Sequence, residues 1–359
     1  MKKLTIETSS KTYPVVIGSD IFKELPSFIE TELQPVSNIW IIADKTVASL
    51  YLRRLQDCLK HSFPHMITTI VPSGENAKSF QVFEQCHEEG LKGNINRKSL
   101  ILALGGGATG DLAGFVAASY MRGIRFIGLP TTLLAHDSAV GGKVAINHKL
   151  GKNMVGAFHQ PEAVFYSYDL LRTLPEKEWR SGFAEAIKHG LIQDENFFNW
   201  MKENISNISQ MPDNVLLEVI TKGIGIKAAI VKQDERETGI REYLNFGHTL
   251  AHSIESNLGY GKTTHGEAVL IGMIFALKLS VDKCGLAFNF SGFEAWVKKL
   301  GYKTELPKIN HQDLLVSMKK DKKTTGSKVA FVVLNSIGTP DTIQLDDEEI
   351  LDCLIKYFN

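Results

Sequence analysis

The sequence predicts an α/β amino-terminal domain with a mostly parallel sheet, followed by a mainly α-helical carboxyl-terminal domain. In the first half, short apolar runs that end in turn-forming or polar residues alternate with amphipathic stretches, which is typical of a sheet covered by helices. After residue 174 the chain is helical by period, and only KVAFVVLN near the end has the pattern of a strand. We therefore place a boundary at Leu174-Pro175 and predict domains of residues 1–174 and 175–359.

The elements of the first domain begin with a hairpin. Residues 2–17 alternate in polarity and include Tyr13-Pro14, which favours the edge of a sheet. Five apolar runs are predicted as strands, at 38–44, 66–72, 100–106, 124–130 and 163–169. Helical stretches separate several of them, at 47–59, 77–91 and 110–121. The second domain is predicted to contain helices at 176–192, 212–231, 246–258, 265–285 and 293–300.

Composition excludes several classes of protein. The 40 Lys and Arg residues balance the 40 Asp and Glu residues, which argues against binding to nucleic acid or to a membrane surface. The four cysteines form no CxxC pair, so we expect reduced thiols and not a zinc ribbon. The basic start has no apolar stretch behind it, and the longest apolar run, Ala268 to Leu277, is about half of a membrane span. We expect a cytoplasmic protein.

A glycine loop follows the predicted strand at 100–106. Gly105, Gly107 and Gly110 have the G-x-G-x-x-G spacing between a strand and a helix. Such glycines let backbone N–H groups approach a pyrophosphate at a helix N-terminus. The alternative is a plain tight turn in which Asp111 only caps the helix. The loop favours a nucleotide-binding domain.

The acidic residue that binds ribose in an ordinary Rossmann unit is missing from its usual position. We therefore predict an atypical Rossmann-like domain. The acidic residue should lie about 20 residues downstream, where the chain has Arg125. Asp44, at the end of an earlier strand, is the better candidate, although a helix-capping role is equally compatible with its position. The SGENAK turn (73–78) and PTT (130–132) also follow strand ends, where open α/β sheets bind ligands.

A possible metal site lies in the helical half. His248 and His252, four residues apart, share a helix face, and His265 opens a later helix, where its neutral form is favoured. Glu185 lies in the apolar stretch GFAEAIKHG, where a carboxylate needs a partner. Histidine and carboxylate ligands suit zinc. The spacing does not choose Glu185 over Asp194 or Glu255, and histidines that bond to each other or to backbone remain an alternative. Glu267 is interpreted as a first-turn acid.

Several cations lie near the glycine-rich stretches. GGKVAINHKLGKN is loop-like and contains Lys143 and Lys152. Lys188 shares a helix face with Glu185, one turn away. In a neutral protein such cations favour an anionic substrate with phosphate or carboxylate groups, although solvated surface lysine is the alternative. Further candidates are Arg122, Arg241, Lys322 and Lys323.

Five segments in this order closely resemble the 3-dehydroquinate synthase family. They are GGGATGDLAGF, PTTLLAHDSAVGGKVAINHKLGKNMVGAFHQP, GFAEAIKHG, LNFGHTLAHSIE and HGEAV. The resemblance implies conversion of 3-deoxy-D-arabino-heptulosonate 7-phosphate, an anionic sugar phosphate, to 3-dehydroquinate in the shikimate pathway. It also implies NAD that is reduced and reoxidised in each turnover, one divalent metal ion (zinc or cobalt) and a homodimer.

The resemblance also implies roles for individual residues. The metal ligands are Glu185, His248 and His265. The positions that contact substrate are Lys143, Lys152, Asn153, Lys188, Arg241, Asn245 and His252, with Asp137 as an active-site acid near the reacting hydroxyl. Arg122 and Lys322 correspond to phosphate-binding positions, one of which reaches across a dimer. The cofactor's surroundings are Asp44, Ser73, Gly74, Glu75, Lys78, Gly107, Gly110, Asp111, Thr131, Thr132, Lys143, Lys152, Leu170 and Thr173.

One segment departs from the family pattern. LLAHDSAVGGK is one residue shorter than the form LLxxVDSSVGGK of many members. Asp137 keeps its spacing to Lys143, and the resemblance gives no role to His136. Alternative functions are a sister cyclase of the 2-deoxy-scyllo-inosose synthase or amino-dehydroquinate synthase type, a glycerol-dehydrogenase-like polyol dehydrogenase, and a catalytically silent metal- and nucleotide-binding protein. Lys152, Asn153 and Arg241 suit a substrate with a carboxylate group, which favours the 3-dehydroquinate synthase reaction over that of a sister cyclase.

Overall fold

The structure is a computed structural model that describes residues 1–259, 261–320, 324–325 and 328–358. These residues form two compact units by their internal contacts. The first unit comprises Met1–Leu174 and Leu216–Glu235, and the second comprises Pro175–Val215 and Arg236–Asn359. A helix from the second half of the chain therefore belongs to the first unit. The division into domains of residues 1–174 and 175–359 stays a prediction.

Strands and helices are numbered here in chain order. The strands are β1 (Lys2–Glu7), β2 (Thr12–Gly18), β3 (Ile39–Asp44), β4 (Met66–Val71), β5 (Leu100–Gly105), β6 (Arg125–Pro130), β7 (Lys143–His148), β8 (Gly151–Phe158), β9 (Ala163–Ser167), β10 (Thr324–Thr325), β11 (Lys328–Ser336) and β12 (Thr339–Leu345). The α-helices are α1 (Leu25–Glu32), α2 (Lys45–Val47), α3 (Arg53–Leu59), α4 (Phe80–Lys92), α5 (Gly107–Ser119), α6 (Ala135–Ser138), α7 (Glu176–Gln193), α8 (Glu195–Asn204), α9 (Asp213–Gln233), α10 (His248–Leu258), α11 (His265–Cys284), α12 (Phe290–Lys299), α13 (His311–Lys320) and α14 (Asp347–Phe358). A π-helical stretch, Ala48–Leu52, joins α2 to α3, and 3₁₀ turns cover Ile21–Glu24, Gly74–Ala77, Tyr120–Arg122, Tyr168–Thr173 and Ile240–Asn245.

A seven-stranded sheet forms the centre of the first unit. Its strand order is β1-β2-β9-β6-β5-β3-β4, and every pairing is parallel except that of β1 with β2. All residues of β3 and β5 are buried, because both faces of a parallel sheet are covered, and such strands are continuous apolar runs in the sequence. The five apolar runs and the edge hairpin predicted from the sequence are confirmed as strands of this sheet.

The segment GGKVAINHKLGKN is not the loop that its glycine content indicates. Most of it belongs to the antiparallel hairpin β7–β8. Val144 and Ile146 are buried in an apolar cluster of the first unit. A Cβ on Gly114 of α5 would lie only 2.3 Å from Val144 Cγ1, so the strand packs closely on the helix. Burial against α5, which the sequence pattern does not display, stabilises the hairpin.

The second unit is mainly helical, as predicted. It contains the described helices α7, α8 and α10–α14 and the small sheet β10-β11-β12. Helix α11 is buried along most of its length, which explains the apolar run at 268–277. None of the described helices combines the length and the apolarity needed to cross a membrane.

Candidate active site

The glycine loop packs closely against the segment that follows β6. A Cβ on Gly106 would lie 2.8 Å from Thr132 Cγ2, and one on Gly107 would lie 2.7 Å from Ser138 Oγ. A side chain at either position would require Thr132 or Ser138 to shift. A cavity opens here and is lined by residues that include Gly105, Gly107, Gly110, Asp111, Ser138 and Lys143.

Three hydroxyls beside the glycine loop are buried without a hydrogen-bond partner among the described residues. They are Thr131 Oγ1, Thr132 Oγ1 and Ser138 Oγ. An unsatisfied buried hydroxyl costs about 1–3 kcal/mol, so native structures rarely keep several in one place. A polar ligand on the N-terminus of α5 would satisfy them, and these residues therefore fit a phosphate-bearing nucleotide.

Asp44 has the helix-capping role that was one of the two possibilities for its sequence position. Its Oδ1 atom caps α2 by accepting hydrogen bonds from the backbone N–H groups of Thr46 and Val47, at 2.8 and 3.1 Å, and also accepts one from Ser73 Oγ at 2.8 Å. No hydrogen bond to Oδ2 is present within the described residues. The capped carboxylate is held in one orientation, and Oδ2 is left to accept a ribose hydroxyl.

The SGENAK turn and the β7–β8 hairpin form one polar network. Gly74 starts the turn at φ +66°, in the left-handed region that favours glycine. Glu75 accepts a hydrogen bond from Asn147 Nδ2 at 2.7 Å and lies 3.3 Å from Lys152 Nζ. Burial alone would raise the pKa of Glu75, but Lys152 and Lys78 outweigh it and lower that pKa. Glu75 therefore holds Lys152 in place as a charged partner.

Lys78 joins this network to the glycine loop. Its buried ammonium group bonds to Asp111 of α5 and to Asn153 Oδ1. Burial raises the pKa of the Asp111 carboxyl although Lys78 opposes it. Asn153 has a φ of 57°, and its backbone N–H donates to Asn147 Oδ1 at 2.9 Å. Sequence reasoning missed Asn147, which bridges two predicted residues but carries no motif of its own.

Asp137 has a partner that sequence reasoning also missed. Lys227, from α9, is buried, bonds to the carbonyl oxygen of Asp137, and lies 3.3 Å from its Oδ2 atom. Its signal in the sequence is weak, because an isolated lysine in an apolar helix is usually assigned to the solvent side. The fold brings it to Asp137 because α9 belongs to the first unit.

The remaining predicted residues of the first unit lie in different places. Leu170 and Thr173 meet at Tyr51, whose hydroxyl lies 2.7 Å from Thr173 Oγ1 and 3.3 Å from the carbonyl oxygen of Leu170. Arg122 is not near the glycine loop. It precedes β6 and so lies at the amino ends of the parallel strands, whereas the glycine loop lies at their carboxyl ends. There it lines an open depression with Arg97 and Lys98. Arg125 is structural, since it donates to the carbonyl oxygens of Leu33, Pro35 and Lys98.

Three candidate metal ligands meet in the second unit. Glu185 Oε1 lies 3.5 Å from Nε2 of both His248 and His265, and one ligand atom from each of the three residues lies within 4.8 Å of the others. Both oxygens of Glu185 are buried, and neither accepts a hydrogen bond of ordinary geometry from the described residues. Two imidazoles and one carboxylate with an open fourth position are a donor set for catalytic zinc. The arrangement fits a divalent metal.

Close helix packing brings these ligands together. A Cβ on Gly266, next to His265 in α11, would lie 2.0 Å from the carbonyl oxygen of Ser181 in α7, the helix that carries Glu185. A Cβ on Gly272 would lie 1.9 Å from the carbonyl oxygen of Gly247, which precedes His248. Side chains at these glycines would separate the helices, so the two glycines set the spacing of the three ligands.

The second nitrogen of each histidine has its own partner. His265 Nδ1 lies 3.2 Å from Glu255 Oε2, and His248 Nδ1 lies 3.2 Å from the carbonyl oxygen of Phe246. A proton on Nδ1 leaves the Nε2 lone pair for a metal. Of the alternatives that the sequence left open, Glu255 lies beside His265 and forms a second possible metal-binding group with His252 and His265, and Asp194 caps α8 by accepting a hydrogen bond from the N–H of Phe197.

Other predicted residues of the second unit surround this centre or lie apart from it. Lys188 forms a buried ion pair with Glu185. The His252 ring lies 6.0 Å from that of His265, centroid to centroid, in a stacked orientation. Arg241 is buried in the Ile240–Asn245 turn, and Asn245 donates to Glu237 Oε1 at 3.1 Å. Glu267 lies in the first turn of α11 and completes a capping box with Thr264. Lys322 and Lys323 lie outside the described residues.

Comparisons with known proteins identify relatives over almost the whole chain. The family model for the 3-dehydroquinate synthase N-terminal region matches residues 68–181, and the model for the C-terminal region matches residues 182–324. A 3-dehydroquinate synthase of Geobacillus thermodenitrificans is 49% identical over 359 residues, covering 99% of this chain and 98% of that relative. One from Bacillus cereus is 48% identical over 350 residues, covering 98% of this chain and 97% of that relative.

A solved structure confirms the fold class. A 2-deoxy-scyllo-inosose synthase complexed with carbaglucose-6-phosphate, NAD⁺ and Co²⁺ superposes with a TM-score of 0.89. It covers 99% of this chain and 100% of that chain at 23% sequence identity. At this identity the likeness extends to the fold and not to the substrate.

Proposed function

This chain belongs to the 3-dehydroquinate synthase family, and we propose that it converts 3-deoxy-D-arabino-heptulosonate 7-phosphate to 3-dehydroquinate and phosphate in the shikimate pathway. The observation that carries the proposal is the meeting of Glu185, His248 and His265 within 4.8 Å. It occurs in a chain that is 48–49% identical to relatives of that name over nearly its full length. The proposed localisation is cytoplasmic.

The proposed cofactors are NAD and one zinc or cobalt ion. Asp44, Ser73, the glycine loop, Thr131 and Thr132 would hold NAD in the first unit, and Glu185, His248 and His265 would hold the metal in the second. When bound, NAD accepts and returns a hydride, and the metal lowers the pKa of substrate hydroxyls. The 2-deoxy-scyllo-inosose synthase mentioned above was solved with NAD⁺ and Co²⁺, which supports this pairing.

The chain's own residues orient the substrate and move protons. We assign substrate contacts to Lys152 and Asn153 of the first unit and to Lys188, Arg241 and Asn245 of the second, because their cationic and amide groups suit a substrate with carboxylate, hydroxyl and phosphate groups. Holding one flexible intermediate through oxidation, phosphate elimination, reduction, ring opening and aldol closure is a positioning task. Asp137 lies near the reacting hydroxyl, and His252 relays protons beside His265. We assign abstraction of the proton in the elimination to the substrate's own phosphate.

A homodimer is part of the proposal. Arg122 lies at the edge of its sheet opposite the glycine loop. This position supports a role for Arg122 in the phosphate site of a second copy, because it is remote from the glycine loop of its own first unit. The molar mass in solution, measured by light scattering, tests this point: 80 kDa is expected from a chain of 39.9 kDa, and a monomer at assay concentration would contradict it.

No observation favours a second function. The sister cyclase compared here matches at 23% identity, whereas the 3-dehydroquinate synthases match at 48–49%. A polyol dehydrogenase would release one NADH per turnover. A silent binding protein would show no turnover at all.

The deciding experiment is an assay of phosphate release from 3-deoxy-D-arabino-heptulosonate 7-phosphate. Purified protein is given catalytic NAD and a divalent metal, and a parallel sample is treated with chelator. We expect metal-dependent phosphate release without net formation of NADH. Net NADH would favour the dehydrogenase. No release from folded, metal-loaded protein would refute the proposed substrate, and other sugar phosphates would be assayed next.

A further inference from the structure

We propose that His136, packed on Gly223 of α9, is a positioning residue that holds Asp137 and Lys227 in contact. The inference rests on the proposed function, which makes Asp137 an active-site acid. All four residues belong to the first unit. His136 lies in the shortened segment LLAHDSAVGGK.

The backbone and ring of His136 are held firmly. The side chain is fully buried, and its Nδ1 atom donates a hydrogen bond to the carbonyl oxygen of Leu133 at 2.7 Å. Its backbone N–H donates to the same oxygen at 3.1 Å. The buried Tyr166 hydroxyl in turn donates to the carbonyl oxygens of Thr132 and Leu133, at 2.5 and 3.2 Å. The imidazole is therefore a fixed surface against which α9 packs.

The position of α9 depends on a glycine at this contact. A Cβ on Gly223 would lie 2.2 Å from His136 Cδ2 and 2.9 Å from Nε2. A methyl group at residue 223 therefore does not fit unless the ring or the helix moves. The ring is held by backbone atoms, so α9 is the part that has to yield.

One turn farther along α9 lies Lys227, on the same helix face as Gly223. Its ammonium group reaches both the carbonyl oxygen and the Oδ2 atom of Asp137, the latter at 3.3 Å. Asp137 follows His136 in the chain. The His136–Gly223 contact and the Asp137–Lys227 contact thus join α6 to α9 at two adjacent points, and a shift at the first is transmitted to the second.

The opposite side of α6 meets the glycine loop. A Cβ on Gly107 would lie 2.7 Å from Ser138 Oγ, so Ser138 has no room to move toward α5. The four-residue helix α6 therefore lies between the glycine loop and α9. Because α6 is held against the glycine loop, a displacement of α9 changes the contact between Asp137 and Lys227.

The test is a double-mutant cycle with Gly223→Ala, His136→Ala and the combination of both. Gly225→Ala is the matched control, because a Cβ there would meet nothing within 4 Å and the residue lies on the same helix. Each variant is measured for kcat and KM in the phosphate-release assay and for its melting temperature. The rate at which an amine-reactive reagent labels Lys227 is measured by peptide mass spectrometry.

We expect Gly223→Ala to lower kcat/KM by about tenfold or more, since small misplacements of active-site groups are costly, and to speed the labelling of Lys227. The double variant should recover part of the lost kcat/KM and should slow the labelling of Lys227 again, because the shortened side chain at residue 136 makes room for the methyl group at residue 223. Gly225→Ala should match the wild type. Losses that simply multiply in the double variant, with unchanged labelling, would overturn the proposal.

Two further outcomes are also decisive. If Gly223→Ala does not fold, His136→Ala decides alone, and wild-type turnover and labelling in that variant would overturn the proposal. If the wild type does not release phosphate, the proposed function fails. The labelling rates still show whether His136 and Gly223 hold Lys227 in place, and unchanged rates would overturn the proposal there too.

Discussion

The two ring nitrogens of His265 face different carboxylates. Nε2 lies 3.5 Å from Glu185 Oε1, and Nδ1 lies 3.2 Å from Glu255 Oε2. A carboxylate on Nδ1 keeps the proton there, turns the Nε2 lone pair toward the metal position, and makes the imidazole a better ligand. This pair of contacts is the arrangement expected of a histidine that binds a metal.

Replacement of His265 by alanine is predicted to abolish metal uptake and turnover together. Two ligands hold zinc far more weakly than three, and the carboxylate of Glu185 would lose one of its two imidazole neighbours. Metal content after dialysis, measured by mass spectrometry of the element, and phosphate release check the prediction. His61→Ala is the control, because His61 is exposed. Full activity with intact metal content in His265→Ala would disprove the ligand assignment.

At the scale of elements, glycines set how closely the helices of the second unit approach. Gly266 meets the backbone of Ser181, and Gly272 meets the backbone of Gly247, so contacts run from backbone to backbone. Backbone atoms do not move aside as a flexible side chain does. Periodicity predicted these helices, but it carries no information on their separation.

Gly266→Ala is predicted to separate α7 from α11 and to weaken the metal centre. The added Cβ would lie 2.0 Å from a carbonyl oxygen, and overpacking of this kind costs about 1–3 kcal/mol or more. We expect a lower melting temperature and reduced metal affinity in a chelator competition. Gly225→Ala, whose Cβ meets open space, should be as stable as the wild type. Unchanged metal affinity in Gly266→Ala would contradict this account of the spacing.

Glu235 ties the turn between β1 and β2 to residues near the end of α9. It accepts hydrogen bonds from Ser10 N at 2.9 Å, from Gln160 Nε2 at 2.7 Å, and from the Ser9 and Ser10 hydroxyls. Burial disfavours its charge, but these donors outweigh burial and lower the pKa of Glu235 to about 2. The charged form is therefore the one that holds these segments together.

Stability is predicted to fall in acid partly through Glu235. Its folded pKa of about 2 lies below the ordinary glutamate value of 4.5, so its contribution to stability is present above pH 4.5 and is lost as the pH falls toward 2. The shift corresponds to on the order of 3 kcal/mol. Glu235→Gln should unfold at lower urea concentration at pH 7, and the difference from wild type should shrink between pH 5 and pH 3. A stability difference between Glu235→Gln and the wild type that does not depend on pH would contradict the role given to the charged form of Glu235. Glu348→Gln is the control, because Glu348 is exposed.

On the scale of the whole molecule, ligand binding adds to the stability of the fold by mass action. NAD at a hundred times its Kd should raise the free energy of unfolding by about 2.7 kcal/mol. NADP should raise it less, because its 2′-phosphate would face the Asp44 carboxylate. Melting curves with each nucleotide check this, and Asp44→Asn, which keeps an oxygen for the α2 cap, should reduce the difference. Equal shifts with NAD and NADP in the wild type would disprove the role of Asp44.

The sequence alone predicted the main strands and the change from α/β to helical structure, and the resemblance to the family supplied most candidate site residues. These features depend on local information: periodicity, turn residues, and motifs whose members lie close together in the chain. The hairpin β7–β8 was missed because its glycine content hides strands that are stabilised by packing on α5. Asn147 and Lys227 were missed because neither belongs to a motif.

Only the tertiary structure decided among residues that the sequence left equivalent. Glu185, Asp194 and Glu255 are all acids in or near helices, and the structure places them differently: Glu185 lies beside His248 and His265, Glu255 lies beside His252 and His265, and Asp194 caps a helix. The same holds for α9, which follows α8 in the chain but packs with the first unit and brings Lys227 to Asp137. Contacts between residues far apart in the chain depend on how helices pack against one another. This packing leaves no periodic signal in the sequence.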